Sequence, residues 1–296
     1  MYHRPVLLQP CMDGLNLQPG GTYVDVTFGG GGHSSRMLEL LEGGKLVAFD
    51  QDPDARNNLP QDDRLLFIHQ NFRYMKNFLK LHGNIPVDGI LADLGISSWQ
   101  IDQPERGFST RFQGPLDMRM DKQSALSAKE VVNEYDEEEL VRVFKFYGEL
   151  RNARKIAREL VFKRKNELPE TTEELKGVLQ KLAPRGKENK FFAQVFQALR
   201  IEVNHELDVL KEFLKQSAEV LRPGGRLVVI SYHSLEDRLV KNFIKAGNFN
   251  GEQEKDFFGN VIAPFKAVGK LIVPDEQEQE ENPRSRSAKL RIAEKI

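Results

Sequence analysis

The stretch Tyr23–His33 reads Tyr-Val-Asp-Val-Thr-Phe-Gly-Gly-Gly-Gly-His. A β-rich run over residues 22–28 breaks into consecutive glycines, and a helical pattern follows over residues 34–41. In α/β domains, a strand, a glycine turn and a helix bring the backbone close to a nucleotide-like ligand, because a Cβ at the turn would block the ligand or a positive φ. A turn that binds nothing is the alternative, and the entropy that consecutive glycines lose on folding argues against it. We therefore predict an α/β domain with a ligand site at this turn.

A second apolar run, over residues 46–49, ends in Asp50. An acid at the end of the second strand, about 20 residues after the glycine turn, is placed to accept both ribose hydroxyls. The dinucleotide fingerprint G-x-G-x-x-G needs a third glycine, which is Ser34 or Ser35 here, and the loop has no Lys or Arg for a pyrophosphate. The pattern favours an adenosine ligand without phosphates, of which S-adenosylmethionine is the common one, over a dinucleotide.

Two more predicted strands lead into residues that suit the same site. Strand three, over residues 65–68, is followed by Phe72, and strand four, over residues 87–95, contains Asp93 near its end. Since ligands bind at the carboxyl ends of parallel strands, Phe72 is placed to border an adenine and Asp93 to face the crevice. The spacing fits a core-facing Phe72 equally well, and Asp93 is also a good helix N-cap.

The end of the chain completes the predicted sheet. A fifth strand over residues 227–230 is followed by Tyr232 and His233, which we expect to face the same crevice. Two late strand candidates, over residues 265–273 and 288–293, resemble the antiparallel hairpin that ends many methyltransferase sheets. The fold prediction is therefore α/β, with a Rossmann-like methyltransferase sheet.

Helical segments interrupt the strand pattern, and there are far more of them than one crossover between parallel strands needs. We predict an inserted all-helical domain over residues 105–204, and a discontinuous cofactor-binding domain over residues 1–104 and 205–296. The insert carries a basic cluster that suits an RNA phosphate backbone, although a solvated helix face with i,i+4 ion pairs explains it equally well. The cluster comprises Arg142, Lys145, Arg151, Arg154, Lys155, Arg158, Lys163, Arg164 and Lys165.

Three other segments carry local signals. The residues after Asp50 predict a helix that opens near Pro53. Apolar residues at helical spacing predict one long helix over residues 191–221, with Phe192 facing a core rather than a nucleic acid. The acidic run over residues 275–281 predicts a solvated loop.

Composition bounds the class of protein. The chain has 296 residues, 40% of them hydrophobic, and a net charge of −1, so its total charge indicates no particular partner. Its single cysteine, Cys11, excludes an intrachain disulfide and a zinc cluster, and we predict no metal site. No apolar run approaches the roughly 18 residues of a membrane span, and residues 1–5 lack a signal-peptide pattern. We expect a cytoplasmic protein with no membrane partner and with a solvated His3.

Longer motifs then run along nearly the whole chain. They are His3-x-Pro5-Val6-Leu7-Leu8, Thr27–Ser34, Asp50–Pro53, Asp93–Ser98, Glu105–Ser109, Gly114–Met120, Phe196–Asn204, Ser231–Arg238 and Asn282–Arg284. Together they resemble the RsmH (MraW) family of small-subunit ribosomal RNA methyltransferases. The chain differs from some relatives at Gly30, where they carry a larger residue.

The resemblance implies methyl transfer from S-adenosylmethionine to the exocyclic N4 of a cytidine in the decoding centre of 16S rRNA. The implied partner is 16S rRNA within the small ribosomal subunit, and the oligomeric state stays open, a homodimer included. Carried over by position, the implied cofactor contacts are Gly31, Gly32, His33, Asp50, Phe72, Asp93 and Gln100.

Cytosine N4 is a poor nucleophile because its lone pair is delocalised into the ring. An acceptor for the N4 hydrogen would localise that pair and stabilise the positive charge that develops. Cytosine-N4 and adenine-N6 DNA methyltransferases often use an acidic or Ser/Asn-Pro-Pro-aromatic motif after strand four, and this chain has no proline pair there. Asp93 and Ser97 are the candidate catalytic acceptors that remain.

Two other functions stay open at this stage. A nicotinamide-dependent oxidoreductase is disfavoured by the missing third glycine. A non-catalytic RNA-binding or assembly factor could retain the pocket for stability, and retention of Asp50, Asp93 and the glycine turn argues against it.

Overall fold

A computed structural model describes residues 5–166 and 168–296, so the expectation for His3 lies outside the described residues. The described residues include one mixed sheet of seven strands. The strands are β1 Thr22–Asp25, β2 Lys45–Asp50, β3 Leu65–His69, β4 Val87–Asp93, β5 Leu221–Ser231, β6 Phe265–Ala267 and β7 Lys289–Lys295.

The strand order in the sheet is β3-β2-β1-β4-β5-β7-β6. Strands β1 to β5 pair in parallel, whereas β7 runs antiparallel to both β5 and β6. The chain leaves β1 toward β2 on one side and later returns to place β4 on the other, which creates a switch point beside β1. This topology confirms the predicted Rossmann-like α/β sheet and its antiparallel end.

The α-helices lie before and between these strands. In chain order they are α1 Leu8–Leu15, α2 Gly32–Leu40, α3 Met75–Leu81, α4 Ser98–Asp102, α5 Ala128–Glu134, α6 Glu137–Phe146, α7 Ala153–Lys163, α8 Thr172–Leu179, α9 Glu188–Asn204, α10 Glu206–Val220, α11 Ser234–Ala246 and α12 Glu276–Glu281. Within the described part of the chain, no helix has the length and apolar character needed to span a bilayer.

The chain divides into two compact units. The first comprises residues 5–95 and 207–296 and contains the sheet, whereas the second comprises residues 96–206. The domain boundaries proposed from sequence were residues 104/105 and 204/205, so the first of them falls several residues later than the division at 95/96.

Both faces of the sheet are buried in the first unit. Along β5, Leu227 and Val229 enter a core with α3, α10 and α11, whereas Val228 and Ile230 enter a second core with α1 and α2. Alternate side chains of a strand point to opposite faces, so an uninterrupted apolar strand requires helices on both sides. The parallel part of the sheet is therefore packed on both faces, and the carboxyl ends of its strands lie side by side.

The second unit is helical and has its own apolar core. Phe192 and Phe196 on α9 are buried in that core, as the helical spacing predicted.

Two local predictions were wrong, and a third was confirmed. The helix predicted over residues 191–221 ends at Asn204, because His205 adopts a left-handed backbone with φ 51° before α10 begins. The acidic run is not a loop but the short helix α12, which Asp275 caps. The predicted helix after Asp50 does open at Pro53, and it is a 3₁₀-helix over Pro53–Asn58 capped by Asp52.

Candidate functional site

The glycine turn connects the end of β1 to α2. Gly29 and Gly31 have φ angles of 51° and 75°, which residues other than glycine rarely adopt. A Cβ on Gly31 would lie 2.8 Å from the ring of Phe28, and one on Gly32 would lie 2.3 Å from Pro5 Cγ. A Cβ on Gly30 would meet nothing within 4 Å. The backbone therefore favours glycine at positions 29 and 31 and the packing favours it at positions 31 and 32, whereas position 30 has room for a side chain.

Asp50, at the end of β2, holds this turn in place. Its Oδ2 accepts a hydrogen bond of 2.7 Å from the Gly29 N–H, and its Oδ1 accepts one of 2.8 Å from the Asp52 N–H. Burial raises the pKa of Asp50 to about 6, although both backbone hydrogen bonds oppose that shift. Each carboxylate oxygen keeps a second lone pair. Asp50 can therefore orient the turn and still accept two ligand hydroxyls.

A buried carboxyl group lies beneath the turn. Asp25, at the end of β1, is 1% exposed. Its Oδ2 accepts a 2.7 Å hydrogen bond from the Ser34 hydroxyl, and its Oδ1 accepts one of 3.0 Å from the Thr27 N–H. Burial raises the pKa of Asp25, and the Ser34 hydrogen bond opposes that rise. The sequence analysis gave Asp25 no role, although an acid that ends a buried strand beside the turn was a usable signal.

Asp93 ends β4, directly beside β1. Its N–H donates a 2.7 Å hydrogen bond to the Thr27 hydroxyl, and its Oδ1 accepts one of 2.8 Å from the Tyr232 hydroxyl. Its Oδ2 lies 3.8 Å from His33 Nδ1. Burial raises the pKa of Asp93 to about 6, while His33 and Tyr232 act to lower it. At pH 7 the group is therefore mainly an ionised acceptor.

His33 occupies the first turn of α2. It is buried, and its Nε2 lies 3.0 Å from the Val6 carbonyl oxygen. Within the described residues, no side chain caps the start of α2, whose N-cap is Gly31. The turn thus presents backbone N–H groups and the positive end of the helix dipole toward its open side.

Phe72 follows β3 at the same edge of the sheet. Its half-buried ring packs edge-to-face on Phe213 of α10, with the ring centroids 5.4 Å apart. Next to it, the Asn71 side chain donates a 2.6 Å hydrogen bond to Gln51 Oε1, which ties the end of β3 to the residue after Asp50. One side of Phe72 thus packs in the core, and the ring stays partly exposed. A core position and a contact with an adenine are therefore compatible for this residue.

Ser97 and Gln100 belong to the second unit. They form a reciprocal capping box on α4, in which the Ser97 hydroxyl accepts from the Gln100 N–H and Gln100 Oε1 accepts from the Ser97 N–H. The spacing Ser-x-x-Gln predicts such a box, and the sequence analysis missed it. Both residues therefore have a structural role of their own.

His233 also acts as a helix cap. Its Nδ1 accepts from the Glu236 N–H at the start of α11, and its Nε2 lies 3.2 Å from Glu236 Oε1. Tyr232, directly before it, is the residue that contacts Asp93.

The basic cluster of the second unit is partly committed to internal contacts. Arg142 pairs with Glu202 at 2.6 Å, and Arg158 pairs with Glu137 at 3.0 Å. Arg164 donates a 2.6 Å hydrogen bond to a backbone carbonyl. The other six cations have no carboxylate partner within the part of the chain that the structure describes. Both ion pairs join different helices rather than i,i+4 positions of one helix, and both interpretations of the cluster stay open.

The five glycine, histidine and aspartate positions predicted in the first unit thus converge on one edge of the sheet. Gly31, Gly32 and His33 open α2, and Asp50 and Asp93 flank β1 on its two sides. Three residues that the prediction did not include bind this group together, namely Asp25, Thr27 and Ser34.

Comparison with known proteins gives a consistent result. The model of the MraW methylase family matches residues 1–296. A Flavobacterium johnsoniae protein named ribosomal RNA small subunit methyltransferase H is 61% identical over 296 residues, covering 100% of this chain and 98% of the relative. A Cytophaga hutchinsonii protein of the same name is 57% identical over 297 residues, with 100% of both chains covered.

Similarity to solved structures is weaker. The crystal structure of an rRNA methylase from Streptococcus thermophilus shares 13% identity with this chain at a TM-score of 0.46, covering 100% of this chain and 99% of that one. A similarity of this size carries no argument about the site.

Proposed function

This chain belongs to the MraW methylase family, and we propose that it transfers a methyl group from S-adenosylmethionine to the exocyclic N4 of a cytidine in the decoding centre of 16S rRNA. Methylation of small-subunit rRNA with S-adenosylmethionine as donor follows from the family and from relatives at 56–61% identity over the whole chain. The choice of N4, of a cytidine and of the decoding centre is the finer part of the proposal.

The observation that carries the proposal is the position of two half-buried carboxyl groups on either side of one glycine turn. Asp50 and Asp93 end the strands that neighbour β1, and each is hydrogen-bonded to the segment between β1 and α2. A ligand on this turn would therefore meet one carboxylate on each side. This suits S-adenosylmethionine, whose ribose hydroxyls need an acceptor and whose sulfonium is cationic.

We assign the cofactor contacts accordingly. Asp50 accepts the ribose hydroxyls, and Phe72 borders the adenine. Gly31, Gly32 and His33 bring the backbone of the turn against the cofactor, and Asp93 lies toward its reacting end. Gln100 completes the set on the resemblance alone.

Asp93 is the proposed acceptor for the N4 hydrogen. An ionised carboxylate that accepts one N4–H directs the nitrogen lone pair toward the sulfonium methyl group and balances the charge that develops on N4. The Tyr232 hydroxyl occupies one lone pair of Asp93 Oδ1, and the second oxygen remains for the base. Ser97 is the second candidate acceptor, although its oxygen already accepts the Gln100 N–H.

Methyl transfer to small ribosomal subunits tests the reaction and the substrate together. Purified subunits that lack the modification are incubated with labelled S-adenosylmethionine, digested with nuclease, and examined by nucleoside mass analysis. We expect label on N4 of a single cytidine. Cofactor binding without label on subunits, free 16S rRNA or DNA would instead favour a non-catalytic binding factor.

Four variants then separate cofactor binding from methyl transfer. Asp93→Asn should bind S-adenosylmethionine but transfer methyl groups slowly at saturating cofactor, and Asp50→Asn should mainly raise the KM for the cofactor. If Asp93→Ala binds the cofactor poorly but turns over normally at saturation, Asp93 has no part in the chemistry. Ser97→Ala gives the same comparison for the second candidate.

A further inference from the structure

A cavity of about 380 Å³ lies at the antiparallel end of the sheet in the first unit, away from the glycine turn. Residues of α11, the edge strand β6, the segment after it and β7 line this cavity. Its apolar lining includes the buried Ile244 and Phe265 and the half-buried Ile292. Four exposed lysines also line it, namely Lys241, Lys245, Lys266 and Lys270.

These lysines have no carboxylate partner within residues 5–166 and 168–296, and none of the residues lining the cavity is acidic. The fifth cation there, Arg291, is held by Asp237 at 2.7 Å. Elsewhere the chain does pair exposed lysines, as in Lys129 with Glu170 and Lys211 with Asp208. Unpaired cations around a concave surface concentrate positive potential, which attracts a polyanion.

A tight turn over residues 254–262 adjoins the cavity through Val261, which is one of the lining residues. Asp256 organises the turn, because its Oδ1 accepts hydrogen bonds of 2.9 Å from both the Phe258 N–H and the Asn260 N–H. The backbone bonds close the turn as well, with the Asp256 N–H donating to the Asn260 carbonyl at 2.9 Å. Side-chain and backbone hydrogen bonds thus both order the tip.

Two aromatic rings stand at this tip in solvent. Phe257 is 98% exposed and Phe258 is 85% exposed, and their ring centroids lie 5.7 Å apart in an edge-to-face arrangement. Neither ring contributes to the apolar cores of the first unit. Exposed aromatic faces on an ordered turn can stack on bases with little loss of conformational entropy.

We propose that this surface, which we call the lysine–phenylalanine surface and define as Lys241, Lys245, Lys266, Lys270, Phe257 and Phe258, binds a single-stranded segment of the rRNA substrate. The lysines contact its phosphates, and the phenylalanines stack on unpaired bases. The inference rests on the proposed function, since that supplies RNA as the partner. A nucleic acid single strand offers phosphates and base faces side by side, which matches cations around a cavity with aromatic rings next to it.

The test measures the affinity for 16S rRNA transcribed in vitro at several salt concentrations. One variant replaces all four lysines by glutamine, and the other is Phe257→Ala/Phe258→Ala. Each phosphate contact with a single strand makes the slope of log binding constant against log salt concentration steeper by about 0.7. The variant without the four lysines should therefore show a slope that is shallower by about 3. The phenylalanine variant should bind about tenfold more weakly with an unchanged slope.

Controls come from the other side of the sheet, where Lys45 begins β2 and Lys80 and Leu81 end α3. Lys45→Gln/Lys80→Gln removes two exposed lysines that have no carboxylate partner within the described residues. Leu81→Ala removes an apolar side chain that is 74% exposed. Both controls should bind rRNA as the wild type does. All variants should keep the wild-type affinity for S-adenosylmethionine, because none of these residues belongs to the glycine-turn site.

The outcomes separate this inference from the proposed function. If the wild type methylates the subunit and both surface variants bind rRNA like the controls, the surface proposal is overturned and the proposed function stands. If the variants lose rRNA affinity but the wild type transfers no methyl group, the surface stands and the proposed function fails. Binding to vesicles of phosphatidylglycerol and phosphatidylcholine is measured in parallel. If the surface variants lose vesicle binding but keep the wild-type affinity for rRNA, the surface contacts a membrane and the proposal is overturned.

Discussion

The Tyr232 hydroxyl donates a 2.8 Å hydrogen bond to Asp93 Oδ1, which joins the residue after β5 to the last residue of β4. Burial and the neighbouring Asp93 raise the pKa of Tyr232 well above its usual range, so the phenol stays protonated as a donor. The same hydrogen bond favours the ionised form of Asp93 and opposes the effect of burial. Tyr232 therefore positions Asp93 and helps set the pH range in which that carboxyl group is ionised and can accept a hydrogen bond.

Tyr232→Phe tests this relationship through the pH profile of methyl transfer. A hydrogen bond to a charged group contributes about 1.5–3 kcal/mol, so its loss should raise the pKa of Asp93. The acid limb of the pH–rate profile should then move up by about one pH unit, with activity recovering near pH 8. Tyr74→Phe is the control, because Tyr74 is 45% exposed. A uniform loss of rate at every pH would show that Tyr232 supports only the local structure.

Asp93→Asn tests the raised pKa through stability. The pKa of Asp93 is about 6 in the folded protein and near 3.8 when unfolded, so its contribution to stability is present below pH 4 and is lost as pH rises through 6. Relative to the wild type, the asparagine variant should gain up to about 3 kcal/mol of unfolding free energy between pH 4 and pH 7 without cofactor.

Urea denaturation at several pH values measures that difference. Asp62→Asn is the control, because hydrogen bonds from Arg64 lower the pKa of Asp62 to about 2, below this window. Its stability curve should run parallel to that of the wild type between pH 4 and pH 7. A parallel curve for Asp93→Asn as well would mean that burial does not shift the Asp93 pKa.

Ser34→Ala should destabilise the first unit. The variant removes the 2.7 Å hydrogen bond to Asp25 Oδ2 and leaves a buried carboxyl oxygen unsatisfied, which costs about 1–3 kcal/mol. Ser35→Ala, one position along α2, makes no comparable change and should stay within about 0.5 kcal/mol of the wild type. Equal urea midpoints for the two variants would contradict the role given to Ser34.

Alanine substitutions in the glycine turn should differ by position. Gly31→Ala places a Cβ at positive φ and 2.8 Å from the Phe28 ring, and Gly32→Ala places one 2.3 Å from Pro5. Each should weaken S-adenosylmethionine binding about tenfold or more, because the turn has to shift. Gly30→Ala has open space and should bind within about twofold of the wild type in calorimetry. Similar losses at all three positions would show that flexibility of the turn matters rather than its geometry.

Much of the site could be predicted because its elements are local in sequence. The continuous apolar runs, the glycine turn and the acids that end strands two and four all leave signals within a few residues. Capping was equally local, and the Ser97–Gln100 box could have been found from its spacing. The break at His205 was not readable, because apolar residues continue at helical spacing on both sides of it and the left-handed residue is not a glycine.

The sequence by itself determined that this chain builds a parallel sheet with a glycine turn after its first strand and acids at the ends of the neighbouring strands. Only the tertiary structure decided which groups complete the site. Thr27 meets Asp93 across 66 residues of sequence, and Tyr232 meets it across 139. The order of strands in the sheet sets such contacts, and strand order depends on how buried faces pack rather than on any local pattern of residues.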